Sequence, residues 1–417
     1  MIFFLILYDL IFLLGLFIYL AHHFYYKKIN LSALKEKLTL YSSRINQKKT
    51  VWFHGVSVGE VLLIKKIVDN LKNKNIVIST TTLTGRRTAE SRYSSYAIIY
   101  FPFDISFLVR RAIKIINPKV FITLETEIWP NLFYYLKRKG VPIIILNGRI
   151  SEKAFFWYKK VKWLIKLVLR NVEFVGVQNE LYKKRFLSLG VDEKKIKVLG
   201  NLKFESISVD EEKQKKFQEK FSFLKKEQKL IIVAGSTHHP EEEIILKIYK
   251  DLLPRYNILL IIAPRHIERI NYLEKIIEKF SLSFLKITEF SHKEPLKDIY
   301  LVNTVGELLY FYSIADICFV GGSLADYGGH NILEPLYFFK PTIFGSYMDN
   351  FKDIEEEVLR KKAALKIRNE KELKNTLKRL IESSTLRENL ERNAYSLFSE
   401  NRDILRRNLE VLKRWLD

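Results

Sequence analysis

The chain has 417 residues, 48% hydrophobic and 28% charged, with 16 Gly, 10 Pro and a single cysteine, a balance that excludes a collagenous, a disordered or a disulfide-stapled protein. Cys318 alone can supply neither an intramolecular disulfide nor a cysteine zinc cluster, and its apolar setting ADICFVGG reads as plain core. The net charge of +23 is uneven: residues 1–200 hold 34 Lys+Arg against 13 Asp+Glu (+21), leaving 36 against 34 (+2) for residues 201–417, so the first half is expected to meet an anionic partner such as lipid headgroups, phosphates or nucleic acid.

The first 21 residues, MIFFLILYDLIFLLGLFIYLA, are nearly all apolar, with Asp9 the one charge. That length matches the ~20 residues a helix needs to cross a bilayer. No basic segment precedes the run and no small-residue cleavage pattern closes it, which favours an anchor over a removed signal peptide. Tyr19, Tyr25 and Tyr26 flank its end as interfacial residues would, and Lys27 and Lys28 place the remainder on the cytoplasmic side. Asp9 keeps a buried or interfacial helix open, and spanning is not distinguished from lying in the interface.

Beyond the anchor, apolar runs alternate with amphipathic helical stretches. TVWFHG, NIVISTT, AIIYFPF, KVFITLE, PIIILN and FVGVQ fill the first half; KLIIVAG, NILLIIAP, IYLVN, ADICFVGG and PTIFG repeat the rhythm. Continuous apolar strands separated by helices predict an α/β protein with parallel sheets covered on both faces, here two doubly wound domains. The length, beyond one ordinary core, agrees. The join is expected in the charged stretch ESISVDEEKQKK, residues 205–216, and the tail from about residue 352 reads as helical and charge-rich.

Doubly wound sheets bind ligands beyond the carboxyl ends of their strands, so the strand-end motifs carry the functional signal. HGVSVGEV (54–61) follows the first strand and opens a helix, placing Glu60 in the first turn, where it either complements the helix dipole or removes a proton. TTLTGRR (81–87) offers an anion contact through Arg86 and Arg87. ETEIWPN (125–131) puts Glu125 and Glu127 on one side if the strand continues. In the second half, Gly235, Ser236 and Thr237 stand between strand and helix with amides able to face an anion. Arg265 ends another strand, and Glu334 lies where it can accept from ribose hydroxyls. His238 and His239 are expected to hydrogen-bond locally. The chain has no GxxxxGK[ST] loop, GxSxG elbow or HExxH motif, and no Asp-x-Asp for a metal–diphosphate donor.

The series HGVSVGE, TTLTGRR, ETEIWPN, LNGRIS, QNE, GNLKFE, GSTHHPEE, APRHIER, GELL and GGSLADYGGHNILEP resembles the 3-deoxy-D-manno-octulosonic acid (Kdo) transferases of lipid A assembly, in family order over residues 1 to about 350. The resemblance implies a GT-B glycosyltransferase, with two Rossmann-like domains facing a cleft and an N-terminal membrane-anchor helix. Residues 1–25 would be the anchor, 26–205 the domain for the lipid A precursor, and 206–417 the CMP-Kdo domain, whose C-terminal helix returns to the first. It implies inverting transfer of Kdo from CMP-Kdo to a tetraacyldisaccharide 1,4'-bisphosphate, with no metal and no cofactor, at the cytoplasmic side of the inner membrane. Glu60 would be the general base, and Glu125 with Lys203 the transition-state stabilisers. Pro264, Arg265, Val305, Gly306, Glu307, Asn331, Ile332, Leu333 and Glu334 would contact CMP. Ile332 stands where many relatives have Pro, and Val305 varies likewise.

Two other classes share some of these features. A GT-B enzyme using a UDP-sugar would keep the nucleotide half, and CMP against UDP in a thermal-protection assay separates the two. A nucleic-acid-binding protein would explain only the charge, since strand-end carboxylates repel phosphates; no nucleic-acid partner is expected.

Overall fold

The computed structural model describes residues 2–25, 30–41, 45, 48–71, 74–93, 95–226, 228–290 and 296–416, without the side chains of residues 19, 23–25, 225 and 226. Tyr26, Lys27 and Lys28, and the side chains of Tyr19 and Tyr25, therefore lie outside the described residues. The chain divides into two compact units: residues Met1–Ser206 with Asp403–Asp417, and Ile207–Arg402.

The first unit is built on seven parallel strands: β1 (Thr50–His54), β2 (Ile76–Thr80), β3 (Ala97–Tyr100), β4 (Pro118–Leu124), β5 (Ile143–Gly148), β6 (Phe174–Val177) and β7 (Ile196–Val198). Their order is β3-β2-β1-β4-β5-β6-β7. All five residues of β1 are buried, as a strand covered by helices on both faces requires. Trp52, Phe121, Phe133 and Ile145 fill one side of this core. The second unit repeats the plan with β8 (Leu230–Thr237), β9 (Ile258–Pro264), β10 (Phe284–Lys286), β11 (Ile299–Leu301), β12 (Ile317–Val320), β13 (Thr342–Phe344) and β14 (Leu365–Lys366), in the order β10-β11-β9-β8-β12-β13-β14. Cys318 is a buried core residue of β12.

The doubly wound α/β architecture is as expected, and so is every apolar run read as a strand. Three strands had escaped: β7, β10 and β14, each two or three residues long and each at a sheet edge. With so few residues, and one side unpaired, such strands need no apolar run to announce them. One motif also changes character. Gly235, Ser236 and Thr237 are the last residues of β8, not a turn, and the Gly235 carbonyl accepts from the amide of Gly321, just past the neighbouring β12.

Two terminal helices complete the first unit. The helix Ile2–Tyr25 is long and apolar enough to cross a membrane over Ile2–His22. Its middle nevertheless docks on the unit. Leu5 is buried, Phe12 meets Phe103 edge-on at 6.1 Å, and Asp9 Oδ1 accepts from the Ser106 amide (3.1 Å) and Asn131 Nδ2 (2.8 Å). The one charge in the apolar run is thus a fastening point. At the other terminus, the helix Ile404–Leu416 lies against the same unit, with Trp415 5.7 Å from Phe174 and the Leu416 carbonyl accepting from Lys74 Nζ at 2.8 Å. Gly200 admits it: its φ is +98°, and a Cβ there would stand 2.7 Å from the Ile404 side chain.

Candidate active site

In each sheet the strand order reverses next to the first strand, at β1/β4 and at β8/β12, which is where doubly wound sheets open a crevice for ligands. Glu60 follows β1 and Glu125 follows β4, so the first crevice is lined by carboxylates from both sides. Ser57 caps the helix Val58–Val68, accepting from the Glu60 amide, and its hydroxyl donates to Glu60 Oε1 at 2.7 Å. The Val56 amide donates to Glu60 Oε2, also at 2.7 Å. This is a capping-box arrangement, and it holds the carboxylate in one orientation. Burial, then the charge of Glu125, raises the Glu60 carboxyl above its usual range, against the pull of the Ser57 and Val56 hydrogen bonds.

Glu125 is not an extension of β4. The strand ends at Leu124 and Glu125 turns with φ +58°, in a left-handed conformation that is uncommon for a non-glycine residue. The side-by-side placement of Glu125 and Glu127 therefore comes from a turn and not from strand alternation. Lys203 Nζ lies 3.6 Å from Glu125 Oε1, and Arg149 Nη1 3.9 Å from Oε2. Lys203 is set by a polar scaffold: Asn147 Oδ1 accepts from the Leu202 amide (2.9 Å), Asn201 Oδ1 from the Lys203 amide (3.0 Å), and Gln178 Nε2 donates to the Asn147 carbonyl (3.2 Å). Asn147 of LNGRIS, Gln178 of QNE and Asn201 of GNLKFE thus act together to place a cation beside Glu125.

Glu127 had no role in the sequence reading, and it belongs here. Its carboxyl is pushed up to about 8 by burial, reinforced by Glu60 and Glu125, so near neutral pH it holds a proton. A glutamate two residues from a candidate catalytic acid was visible in the sequence; its burial was not. The expectation for TTLTGRR changes in kind. Thr80 and Thr82 hydroxyls both donate to the Val56 carbonyl at 3.0 Å, clamping the Glu60 loop. Arg86 is buried and spent on Glu36 (2.8 Å) and Glu90 (2.7 Å), which leaves only the exposed Arg87 to offer a cation. The pull of an internal carboxylate exceeds what an anion in solvent could offer it.

The second unit gathers the remaining candidates at strand ends. Pro264 ends β9 and Arg265 follows it, exposed. Val305 is 81% exposed, Gly306 has φ +85°, and Glu307 accepts from the Thr304 hydroxyl at the start of the helix Leu308–Ile314. Asn331 Nδ2 donates to Glu334 Oε1 (3.3 Å), and Asn331 Oδ1 accepts from the Leu333 amide (3.2 Å). Burial pushes the Glu334 carboxyl up to about 7 against the stabilising Asn331 amide and the Arg265 charge. Ile332 and Leu333, by contrast, are fully buried. Among the described residues, no three His, Cys, Asp or Glu side chains converge in a way that could hold a metal ion.

Comparison with known proteins gives this geometry a context. Residues 32–206 match the family described as 3-deoxy-D-manno-octulosonic-acid transferase (kdotransferase). A bifunctional glycosyltransferase/methyltransferase of Fusobacterium nucleatum is 37% identical over 91% of this chain, which spans only 60% of that relative's length. A 3-deoxy-D-manno-octulosonic acid transferase of Haemophilus influenzae is 32% identical, covering 88% of this chain and 87% of that protein. Among solved structures, a UDP-GlcNAc 2-epimerase of Neisseria meningitidis shares the fold with a TM-score of 0.53 at 15% identity, over 83% of this chain and 94% of its own. With the carboxylate-lined first crevice, the paired GT-B-type sheets and these relatives together, the chain belongs to the 3-deoxy-D-manno-octulosonic-acid transferase family of glycosyltransferases.

Proposed function

We propose that the chain transfers Kdo from CMP-Kdo to a hydroxyl of a tetraacylated disaccharide 1,4'-bisphosphate, inverting the anomeric centre without a metal ion or cofactor. The observation that carries this reading is the convergence of Glu60, Glu125 and Lys203 at the β1/β4 crevice. Glu60, oriented by Ser57 and Val56, accepts the proton of the attacking hydroxyl; its raised basicity suits that step. Glu125 stabilises positive charge developing at the anomeric carbon, while Lys203 holds Glu125 in position. In the second unit, Glu334 and Asn331 accept from and donate to the ribose, and Arg265 meets the phosphate. Pro264, Val305, Gly306, Glu307 and the backbone of Ile332 and Leu333 border the nucleotide. Mass analysis after incubation with CMP-Kdo and the bisphosphorylated acceptor should show addition of Kdo. Consumption of a UDP-sugar, with CMP-Kdo untouched, would overturn the donor assignment.

The acceptor's lipid character has its own support. The helices Glu152–Lys160 and Lys162–Leu169 expose Phe156, Trp157, Val161 and Trp163 among lysines, with Lys160 Nζ 4.3 Å from the Trp157 ring centre. Exposed aromatics interleaved with lysines suit an anionic bilayer surface. Tyr158 of the same helix is half-buried, and burial, then the neighbouring Glu127 carboxyl, raises its phenol, so the inner side of this helix approaches Glu127. The docking of Asp9 and Phe12 on the unit supports a helix that lies in the interface of the inner membrane's cytoplasmic leaflet rather than crossing it. Replacing Trp157 and Trp163 with Ser is expected to weaken partitioning onto anionic vesicles at least ~10-fold, since burying ~100 Å² of each ring contributes about 2 kcal/mol. Unchanged partitioning in a flotation assay would assign all membrane affinity to the N-terminal helix.

A further inference from the structure

His238 and His330 of the second unit have no part in the scheme above. His238 follows β8 and His330 sits in the glycine loop after β12, the two strands between which the sheet order reverses. Their Nε2 atoms stand 2.9 Å apart, with ring centres 5.1 Å apart and planes 9° from parallel. A contact of that length between two imidazole nitrogens holds one proton, with one ring donating and the other accepting through its bare nitrogen. Tyr327 stacks on His238 at 4.1 Å and His266 meets it edge-on at 5.5 Å.

The groups facing the pair are cations or neutral rings. Arg265, His266 and Arg269 approach from the segment after β9, and Arg269 is paired with Glu242 at 2.8 Å. The neighbouring carboxylate, Glu241, is fully buried and accepts from four amides: His238 (3.0 Å), Gly322 (2.7 Å), Ser323 (3.0 Å) and Leu324 (2.9 Å). Three consecutive amides at a strand end would otherwise cradle a phosphate. With Glu241 in that place, an anion entering the crevice is left to side chains. Burial, followed by the surrounding cations, holds both imidazoles down at about 4, so both are neutral in the free protein near pH 7.

We propose that His238, His330 and Arg265 form an anion subsite for the charged end of the nucleotide-sugar donor, and that anion entry opens the histidine pair and draws in one proton. The Nε2–H···Nε2 bond breaks, the accepting Nε2 takes a proton from solvent, and two Nε2–H groups then donate to anion oxygens beside the Arg265 guanidinium. The imidazolium so formed would also stabilise charge on a departing phosphate. The proposal rests on the second unit being the donor domain. Its anion is either the phosphate or the sugar carboxylate.

Calorimetric titration of the full chain at pH 6.5, in two buffers of different ionisation enthalpy, counts the protons taken up. Wild type should take up protons on binding CMP-Kdo, and its affinity should fall by up to about tenfold per pH unit above neutrality. His330→Gln and His238→Gln should each abolish the uptake and bind about 10- to 100-fold more weakly at pH 6.5, the range for a lost charge-assisted hydrogen bond. CMP's own phosphate titrates near pH 6, so its proton count is taken as the difference between wild type and His330→Gln. A difference with CMP and no uptake with cytidine assigns the subsite to the phosphate; uptake with CMP-Kdo alone assigns it to the carboxylate. CMP-Kdo binding in wild type without proton uptake, or uptake retained in both variants, overturns the subsite. Absence of any CMP or CMP-Kdo binding to wild type would instead remove the donor reading itself.

Discussion

Glu60→Gln is expected to lower kcat at least ~10²-fold, the low end of what a positioned general base contributes. Glutamine keeps the size of the side chain and can still accept from the Val56 amide, but it cannot take up the hydroxyl proton. The variant should be at least as stable as wild type at pH 7. A buried carboxyl whose folded value lies above its unfolded value contributes stability that is full below the unfolded value and lost as pH rises through the folded one. Near neutrality wild type therefore carries a penalty for the charged form, which glutamine removes. The same shift, a property of the free enzyme, places the acid limb of the kcat/KM profile above the ordinary carboxylate range. A variant that melts lower yet turns over at a near-normal rate would reduce Glu60 to the helix cap that Ser57 and Val56 make of it.

Arg86→Gln should be the more damaging change to stability. Arg86 and Glu36 are both buried, joined at 2.8 Å, and Glu36 Oε2 also accepts from the Tyr100 amide at 2.9 Å. Removing the guanidinium breaks a buried ion pair, which typically costs about 3–5 kcal/mol and, for a unit of this size, on the order of 10 °C in Tm. Arg87→Gln, on the exposed side of the same helix, should leave the melting temperature within about a degree, as surface substitutions generally do. It should instead raise the acceptor KM more than the CMP-Kdo KM through the weakened basic field. Equal melting of the two variants, followed by calorimetry, would show that the Arg86–Glu36 pair carries no net stability.

How much of the site was legible in the sequence depended on the range of the interactions. Glu60 could be placed at a helix start because the glycine-containing HGVSVGEV after an apolar strand is a local signal, while the Ser57 cap emerged only in the structure. Arg265 and Glu334 were legible for the same reason. Glu127 was named but given no role and Arg86 was read as an anion contact, because burial decides both and the sequence does not display it. Two adjacent arginines read as a basic patch. In the folded unit one is buried against a glutamate 50 residues away and the other stays exposed.

The sequence by itself determined the parallel α/β class, the strands of both sheets apart from β7, β10 and β14, the core place of Cys318 and the family. Each follows from apolar runs and strand-end motifs that act over ten residues or fewer, or from their order along the chain. Only the tertiary structure decided that Asp9 fastens an apolar helix to Ser106 and Asn131, that Glu125 leaves its strand in a left-handed turn to meet Lys203, and that His238 faces His330 across 92 positions of sequence. Those contacts join residues far apart in sequence that only the folded units bring together, the two histidines at the β8/β12 reversal. A carboxylate or imidazole takes its charge state from what it is buried against, which is why local pattern could name such residues but not their chemistry.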